Sequence, residues 1–306
     1  MKRILLTGSN GLLGQKLVHL IVQEYADQYQ LIATSKGENR ISRKEGYLFR
    51  SMDIANADEV AKIFEEFQPD FLINTAAMTN VDACEDDKEA CRSANIEAVE
   101  ILGQEAEKYN CHFIHLSTDF IFDGEDGPYS EEDQANPLSF YGKSKLEGEK
   151  VIQKLNTKWA IARTIIVYGL AENMSRSNIV LWAKGALEEG QELNIVNDQF
   201  RSPTLAEDLA IGCMQIVENE AEGIYHLSGK DLMSIVELVR RVASFYGLNQ
   251  ELINETSSDS LNQAAKRPPK TGFVLDKARK ELSYDPKSFE EGLAFLQKQL
   301  DKVDPV

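Results

Sequence analysis

Short apolar runs alternate with amphipathic stretches through the first half of the chain. The runs cover residues 3–7, 30–34, 47–52, 71–75, 112–117 and 159–163, each five or six residues long. Their length and bounding polar residues predict buried strands. Between them, apolar residues recur at helical spacing over 12–25, 57–67, 81–108 and 140–155. Asn56 and Asp58 mark a helix start, and Pro69 stops that helix. Strands alternating with helices, the strands apolar on both faces, predict an α/β fold built on a doubly wound parallel sheet.

The rhythm loosens after residue 165. The pattern predicts a helix near 175–189, a strand at 193–196, a helix at 204–218 and a strand at 223–227. A helix near 234–246, a polar stretch at 254–263 and helices at 275–282 and 288–302 follow. Residues 1–165 therefore read as the sheet domain. Residues 166–306 read as a smaller, less regular part that closes over the sheet's ligand edge, the chain crossing back near 193–228.

Composition narrows the function. With 306 residues, 42% of them hydrophobic, the chain can bury one large or two coupled cores. It has no apolar run of about 18 residues, so no membrane span is expected. The apolar run of the N-terminal MKRILLTGSNGLLG is only Ile4-Leu5-Leu6, too short for a secretion signal. The four cysteines lack CxxC spacing, which suits reduced thiols in the cytoplasm and no metal. A net charge of −17 argues against a nucleic-acid partner. An anionic ligand would need locally placed arginine, lysine or a helix N-terminus.

Such a place exists in TGSNGLLG, between the first strand and the first helix. Gly8 permits a tight turn, Gly11 close approach of backbone to a pyrophosphate, and Gly14 close helix–strand packing. The strand–turn–helix context points to a dinucleotide. An acidic residue at the second strand's tip would favour NADH, but the sequence there is TSKGENR. Ser35, Lys36 and Arg40 suit the 2′-phosphate of NADPH, with NADH also usable; an ordinary basic loop is the competing reading. Asp53-Ile54 reads either as an adenine contact or as a loop aspartate capping the next helix.

Ligands of an open α/β sheet bind beyond the strands' carboxyl ends. There the fourth strand runs into Ala76 and Ala77, small enough for a flat cofactor to lie on backbone or for tight strand–helix packing. The fifth strand ends in Ser117-Thr118-Asp119. A hydroxyl there polarises a carbonyl or simply serves turn chemistry. In YGKSKLEGEK, Tyr141 and Lys145 lie four apart on one helix face. A free tyrosine titrates near 10; a lysine held close would lower that value toward neutrality, where acid–base catalysis works.

TGxxGxxG, a strand ending in STD, and YxxxK together resemble the extended short-chain dehydrogenase/reductases. NTAAMTNVDACE, STDFIFDG, PLSFYGKSKLEGE, RTIIVYG, DQFRSPTLAEDLA and RPPKTGFVLD resemble the dTDP-4-dehydrorhamnose reductase family more closely, to about residue 275. The resemblance implies a Rossmann fold and NAD(P)H-dependent reduction of a 4-keto sugar carried on a nucleoside diphosphate. Carried over by position, Tyr141 donates the proton, Lys145 tunes it and holds the nicotinamide ribose, and Thr118 hydrogen-bonds the carbonyl. Gly8, Gly11, Leu12, Leu13 and Gly14 line the pyrophosphate. Ala76, Ala77, Met78 and Leu116 flank the cofactor, and Asp119 and Arg267 fall near the sugar nucleotide.

Three departures stand out. Ile166 replaces a tryptophan often found at a substrate contact. Arg201 replaces a common glycine, either to grip phosphate or to bridge an acidic neighbour. Asp119 is followed by Phe120, so the Asp-Glu pair of the related dehydratases is missing. The alternatives are a reductase or epimerase acting on another nucleotide sugar, and a non-catalytic subunit like the regulatory one of methionine adenosyltransferase. The apolar helices at 81–108 and 140–155 either pack on a second copy, as a homodimer, or lie under the C-terminal part.

Overall fold

The computed structural model describes residues 1–173, 177–260 and 263–303. Its first half alternates β1 (Lys2–Thr7), α1 (Leu12–Glu24), β2 (Tyr29–Ser35), β3 (Leu48–Ser51), α2 (Ala57–Phe67) and β4 (Phe71–Asn74). It continues with α3 (Val81–Asp86), α4 (Lys88–Arg92), α5 (Ala98–Lys108), β5 (His112–Thr118), α6 (Phe140–Ile152) and β6 (Trp159–Thr164). The second half holds β7 (Val167–Tyr168), α7 (Ile179–Glu188), β8 (Leu193–Val196), β9 (Phe200–Arg201), β10 (Thr204–Leu205) and α8 (Ala206–Glu218). Then come β11 (Gly223–His226), β12 (Met233–Ser234), α9 (Ile235–Tyr246), β13 (Ile253–Thr256), α10 (Asp276–Leu282) and α11 (Phe289–Val303). No helix among the described residues is long and apolar enough to cross a membrane.

Seven strands form one parallel sheet in the order β11-β6-β5-β4-β1-β2-β3. Strand order reverses between β1 and β4, which opens a crevice at their carboxyl ends. Alternate residues serve the two faces. Ile4, Leu6, Ile73 and Ile114 pack against α1 and α8, while Leu5, Leu72 and Phe113 meet α2 and α5. A separate cluster in the second half joins Val180, Leu187, Ile195, Leu238, Val242 and Leu293. The chain returns to the main sheet through α8, which packs on α1, and β11, which pairs with β6. β8 instead pairs with β13.

Several local readings change. The stretch 81–108 is not one helix. Asp87 leaves helical geometry (φ −128°, ψ 82°) and caps α4 by accepting from the Ala90 N–H. Residues Ser93–Glu97 then form a π turn, which brings Asn95 inward. The polar stretch at 254–263 opens inside β13; residues 261–262 lie outside the described residues. So do residues 175–176 of the expected helix at 175–189, whose described part begins at Ile179 under an Asn178 cap. The pairs β7–β10 and β9–β12 were not foreseen.

Candidate active site

The glycine turn starts from steric necessity. Gly8 has φ +69°, and a Cβ there would stand 2.7 Å from Thr75 Oγ1 and 2.8 Å from Ala76 N. Only glycine lets the turn lie this close to the loop after β4. A Cβ on Gly14 would come within 2.2 Å of Gly8 O, so Gly14 seats α1 on the turn itself rather than on a strand. Gly11 caps α1 without any side-chain hydrogen bond. The first-turn N–H groups of Leu12, Leu13 and Gly14 thus meet no capping side chain, and the helix dipole adds positive potential there. Ser9 Oγ is buried without a partner. A capless helix start, close backbone approach and an orphaned hydroxyl together fit a dinucleotide pyrophosphate.

Asn10, which sequence reasoning passed over, holds the neighbouring loop. Its amide donates to Glu38 O (2.8 Å), and its Oδ1 accepts from the Arg40 N–H (2.8 Å). That places Arg40 beside the turn. Ser35 ends β2. Lys36, with its side chain 82% exposed, is paired with Asp53 at 2.7 Å. Lys36 holds the Asp53 carboxyl below its ordinary value. Ile54, next to Asp53, packs against the α2–α5 face.

Beyond β4, Ala76 and Ala77 lead to Met78, whose backbone is clamped by Asn95. The Met78 N–H donates to Asn95 Oδ1 (2.9 Å), and Asn95 Nδ2 donates to Met78 O (3.0 Å) and Ser144 Oγ (3.0 Å). Ser139 caps α6 by accepting from the Gly142 N–H. A Cβ on Gly142 would lie 2.1 Å from Phe120 O, so α6 presses directly on the turn after β5. That contact brings Tyr141 to Thr118. Both are buried.

The Thr118 hydroxyl itself accepts from the Phe120 N–H and donates to Asp119 Oδ1 (3.2 Å each), so it also serves the turn after β5. Burial pushes the Tyr141 phenol above its ordinary value; the nearby Thr118 hydroxyl pulls it back, and Asp119, Cys84 and Cys91 raise it further. This corrects the sequence reading, in which Lys145 was to lower it. Lys145 Nζ instead donates to Leu116 O (2.7 Å) and lies 3.2 Å from His115 Nε2. Burial lowers Lys145 to about 8, against the pull of Glu149.

The remaining expected residues fall elsewhere. Arg201 is 2% exposed. It donates to Phe200 O (2.7 Å) and Pro268 O (2.6 Å), and its Nε lies 3.4 Å from Asp119 Oδ2. Asp119 also accepts from the Thr271 hydroxyl. Of the two readings for Arg201, the bridge to an acidic neighbour is the one seen, and neither charge is open to a ligand. Arg267 makes a two-point pair with Asp82 (3.1 and 2.6 Å) at the start of α3. Ile166 has φ +31°, strained for a β-branched residue. It packs where the two main apolar clusters meet.

A capless glycine turn at the switch point, with buried Thr118 at the tip of β5 two strands away and Tyr141 beside it on α6, is the arrangement of a Rossmann fold of the extended short-chain dehydrogenase/reductase type. A family model described as the RmlD substrate binding domain matches residues 1–302, and the chain belongs to that family. It is 32% identical over 305 residues to a dTDP-4-dehydrorhamnose reductase of Aggregatibacter actinomycetemcomitans, covering 96% of this chain and 97% of that protein. It is 30% identical over 272 residues to methionine adenosyltransferase 2 subunit beta of Bos taurus, covering 87% and 78% respectively. A solved dTDP-4-dehydrorhamnose reductase of Bacillus anthracis, in complex with NADP, superposes with a TM-score of 0.86 at 26% identity, covering 98% of this chain and all of that one.

Proposed function

We propose that this chain reduces the 4-keto group of a nucleoside-diphosphate sugar with NADPH, dTDP-4-dehydrorhamnose to dTDP-rhamnose being the assignment the relatives favour. The observation that carries the reading is the buried pair of Thr118 and Tyr141 at the carboxyl edge, two strands from the capless glycine turn. When bound, NADPH supplies the hydride that reduces the carbonyl carbon. Leu12, Leu13 and Gly14 hold its pyrophosphate, and Ser35, Lys36 and Arg40 meet the 2′-phosphate. NADH is usable with weaker binding. Tyr141, kept protonated by burial, gives its phenolic proton to the carbonyl oxygen. Thr118 hydrogen-bonds the same oxygen and orients it. Lys145 holds the cofactor's ribose. Four free, buried cysteines suit a reducing compartment such as the cytoplasm.

The test is nicotinamide absorbance. Purified protein should oxidise NADPH when dTDP-4-dehydrorhamnose is added, and an unchanged signal would sink the substrate assignment. Tyr141→Phe should abolish turnover while NADPH still binds; surviving activity would remove Tyr141 from its role. The likeness to methionine adenosyltransferase subunits supports a second reading, a binding subunit without turnover. Retained Thr118, Tyr141 and Lys145 favour catalysis over it. A stable complex with a catalytic partner, together with no reductase activity, would reverse that order.

A further inference from the structure

A buried polar chain runs from β1 to the active-site helix. Asn74 Oδ1 accepts from the Thr7 hydroxyl and from the Ala76 N–H (3.2 Å). Asn74 Nδ2 lies 3.1 Å from His115 Nδ1, and His115 Nε2 lies 3.2 Å from Lys145 Nζ. All four side chains are buried. Ordinary packing does not require a histidine and an asparagine here, and burying them is unfavourable unless each polar atom is matched.

The direction of each bond can be derived. The Ala76 N–H is a backbone donor, so the Asn74 atom it faces must be the oxygen. The Asn74 amide group facing His115 is then NH₂, which only donates, and Nδ1 must accept. A neutral imidazole that accepts at Nδ1 carries its hydrogen on Nε2. His115 is fully buried, and burial together with Lys145 drives it far below its ordinary value, so the ring is neutral. Its Nε2–H points at Lys145 Nζ. An ammonium has three hydrogens and no lone pair; a free amine can accept this bond while still donating to Leu116 O.

We propose that His115 is a positioning residue for Lys145: fixed by Asn74 in one tautomer, it presents a donor to Lys145 Nζ and reserves that nitrogen's lone pair for the ring. The inference rests on the proposed reductase reading for its role in catalysis, though the hydrogen-bond chain stands without it. The charged and titratable groups around Lys145 are His115 on β5, Tyr141 and Glu149 on its own helix, and Cys91 on α4. Arg163 of β6 grips Glu149 at 2.7 and 3.0 Å, which draws off part of that carboxylate's pull on Lys145. The outcome is a lysine able to change charge near neutral pH beside the proton donor, where an ordinary lysine would remain an ammonium.

Two measurements test this. Nitrogen-15 NMR of histidine-labelled wild-type protein reads the tautomer directly, with His115→Gln assigning the resonance. The expected result is a neutral ring with hydrogen on Nε2 above about pH 8, where Lys145 is a free amine; hydrogen on Nδ1 there, or a charged ring, overturns the proposal. Carbon-13 NMR of labelled lysine side chains reads Lys145. In His115→Gln the amide oxygen can turn toward the ammonium. In Asn74→Asp the carboxylate takes the ring hydrogen at Nδ1 and frees Nε2 to accept. Both variants should move the Lys145 titration upward by about one pH unit, tenfold in proton affinity. An unmoved titration in both overturns the proposal. The two spectra need no turnover, so absence of reductase activity would remove the proposed function while leaving this inference to stand or fall separately. Where turnover is present, the matching limb of the kcat/KM profile shifts with the lysine, which mere loosening of the fold would not produce.

Discussion

Replacing Arg201 with methionine isolates the energetic role of a charge buried behind the carboxyl tip of β5. Arg201 and Asp119 have side chains 2% and 3% exposed and lie 3.4 Å apart. Removing one member of a buried pair costs about 3–5 kcal/mol, because the other charge is left uncompensated. Asp119 is already pushed above its ordinary 3.8 by burial, with Arg201 the largest influence pulling it back. A carboxyl raised in the native state favours its protonated form there. Its contribution therefore falls as pH rises from 3.8 through the raised native value, and its penalty is absent below both. Arg201→Met raises that native value further, each unit being worth about 1.4 kcal/mol. Phe200 O and Pro268 O also lose their donor, but that loss does not depend on pH. Urea unfolding should therefore show the variant's deficit largest at about pH 7.5 and smaller at about pH 5. Adding Asp119→Asn should recover the pH-dependent portion. Equal deficits at both pH values would refute the assignment of the penalty to Asp119.

Other outcomes follow from the same geometry. Gly14→Ala places a methyl 2.2 Å from Gly8 O and should destabilise by about 1–3 kcal/mol while weakening NADPH binding in a fluorescence titration. Gly185→Ala, in α7 with nothing within 4 Å of the new methyl, should instead stabilise by about 0.5–1 kcal/mol in thermal melts. Lys36→Ala should lower affinity for NADPH by about tenfold and leave NADH unchanged, since only the former brings a phosphate for the ammonium to meet; equal losses would remove Lys36 from the 2′-phosphate site.

What the sequence disclosed, and what it hid, divides by range. β1, β4 and β5 were legible because buried parallel strands are short, continuously apolar and bounded by turns. The glycine turn was legible because strand, glycines and helix are contiguous. The break at Asp87 was not, since one capping aspartate inside an amphipathic stretch looks like a solvent position until its backbone turns. The two-residue strands at β7, β9, β10 and β12 follow from the docking of remote segments and leave no periodic trace. Pairings across the chain were equally hidden. The sequence left Arg201 open between gripping phosphate and bridging an acidic neighbour, a choice only the fold makes by placing Asp119 beside it, and His115 read simply as part of an apolar strand. Asn10 and Asn95 act through hydrogen bonds to backbone far from them in sequence, and Asn74 through side chains of distant strands, which residue type alone does not announce.

The return of the chain to its first sheet bears on synthesis. α1 meets α8, and β6 receives β11 as its outer neighbour, so the first sheet lacks one edge and one cover until residue 226 has emerged. At roughly 5–20 residues per second, the stretch from β6 to β11 takes about 3–12 s to make. Over that interval α1 rests on the early strands but lacks its α8 neighbours, Leu209, Cys213, Ile216 and Val217 among them. The nascent protein is then most prone to aggregate through an unpaired strand edge and the part of α1 that α8 will cover, and chaperone protection matters most in that window.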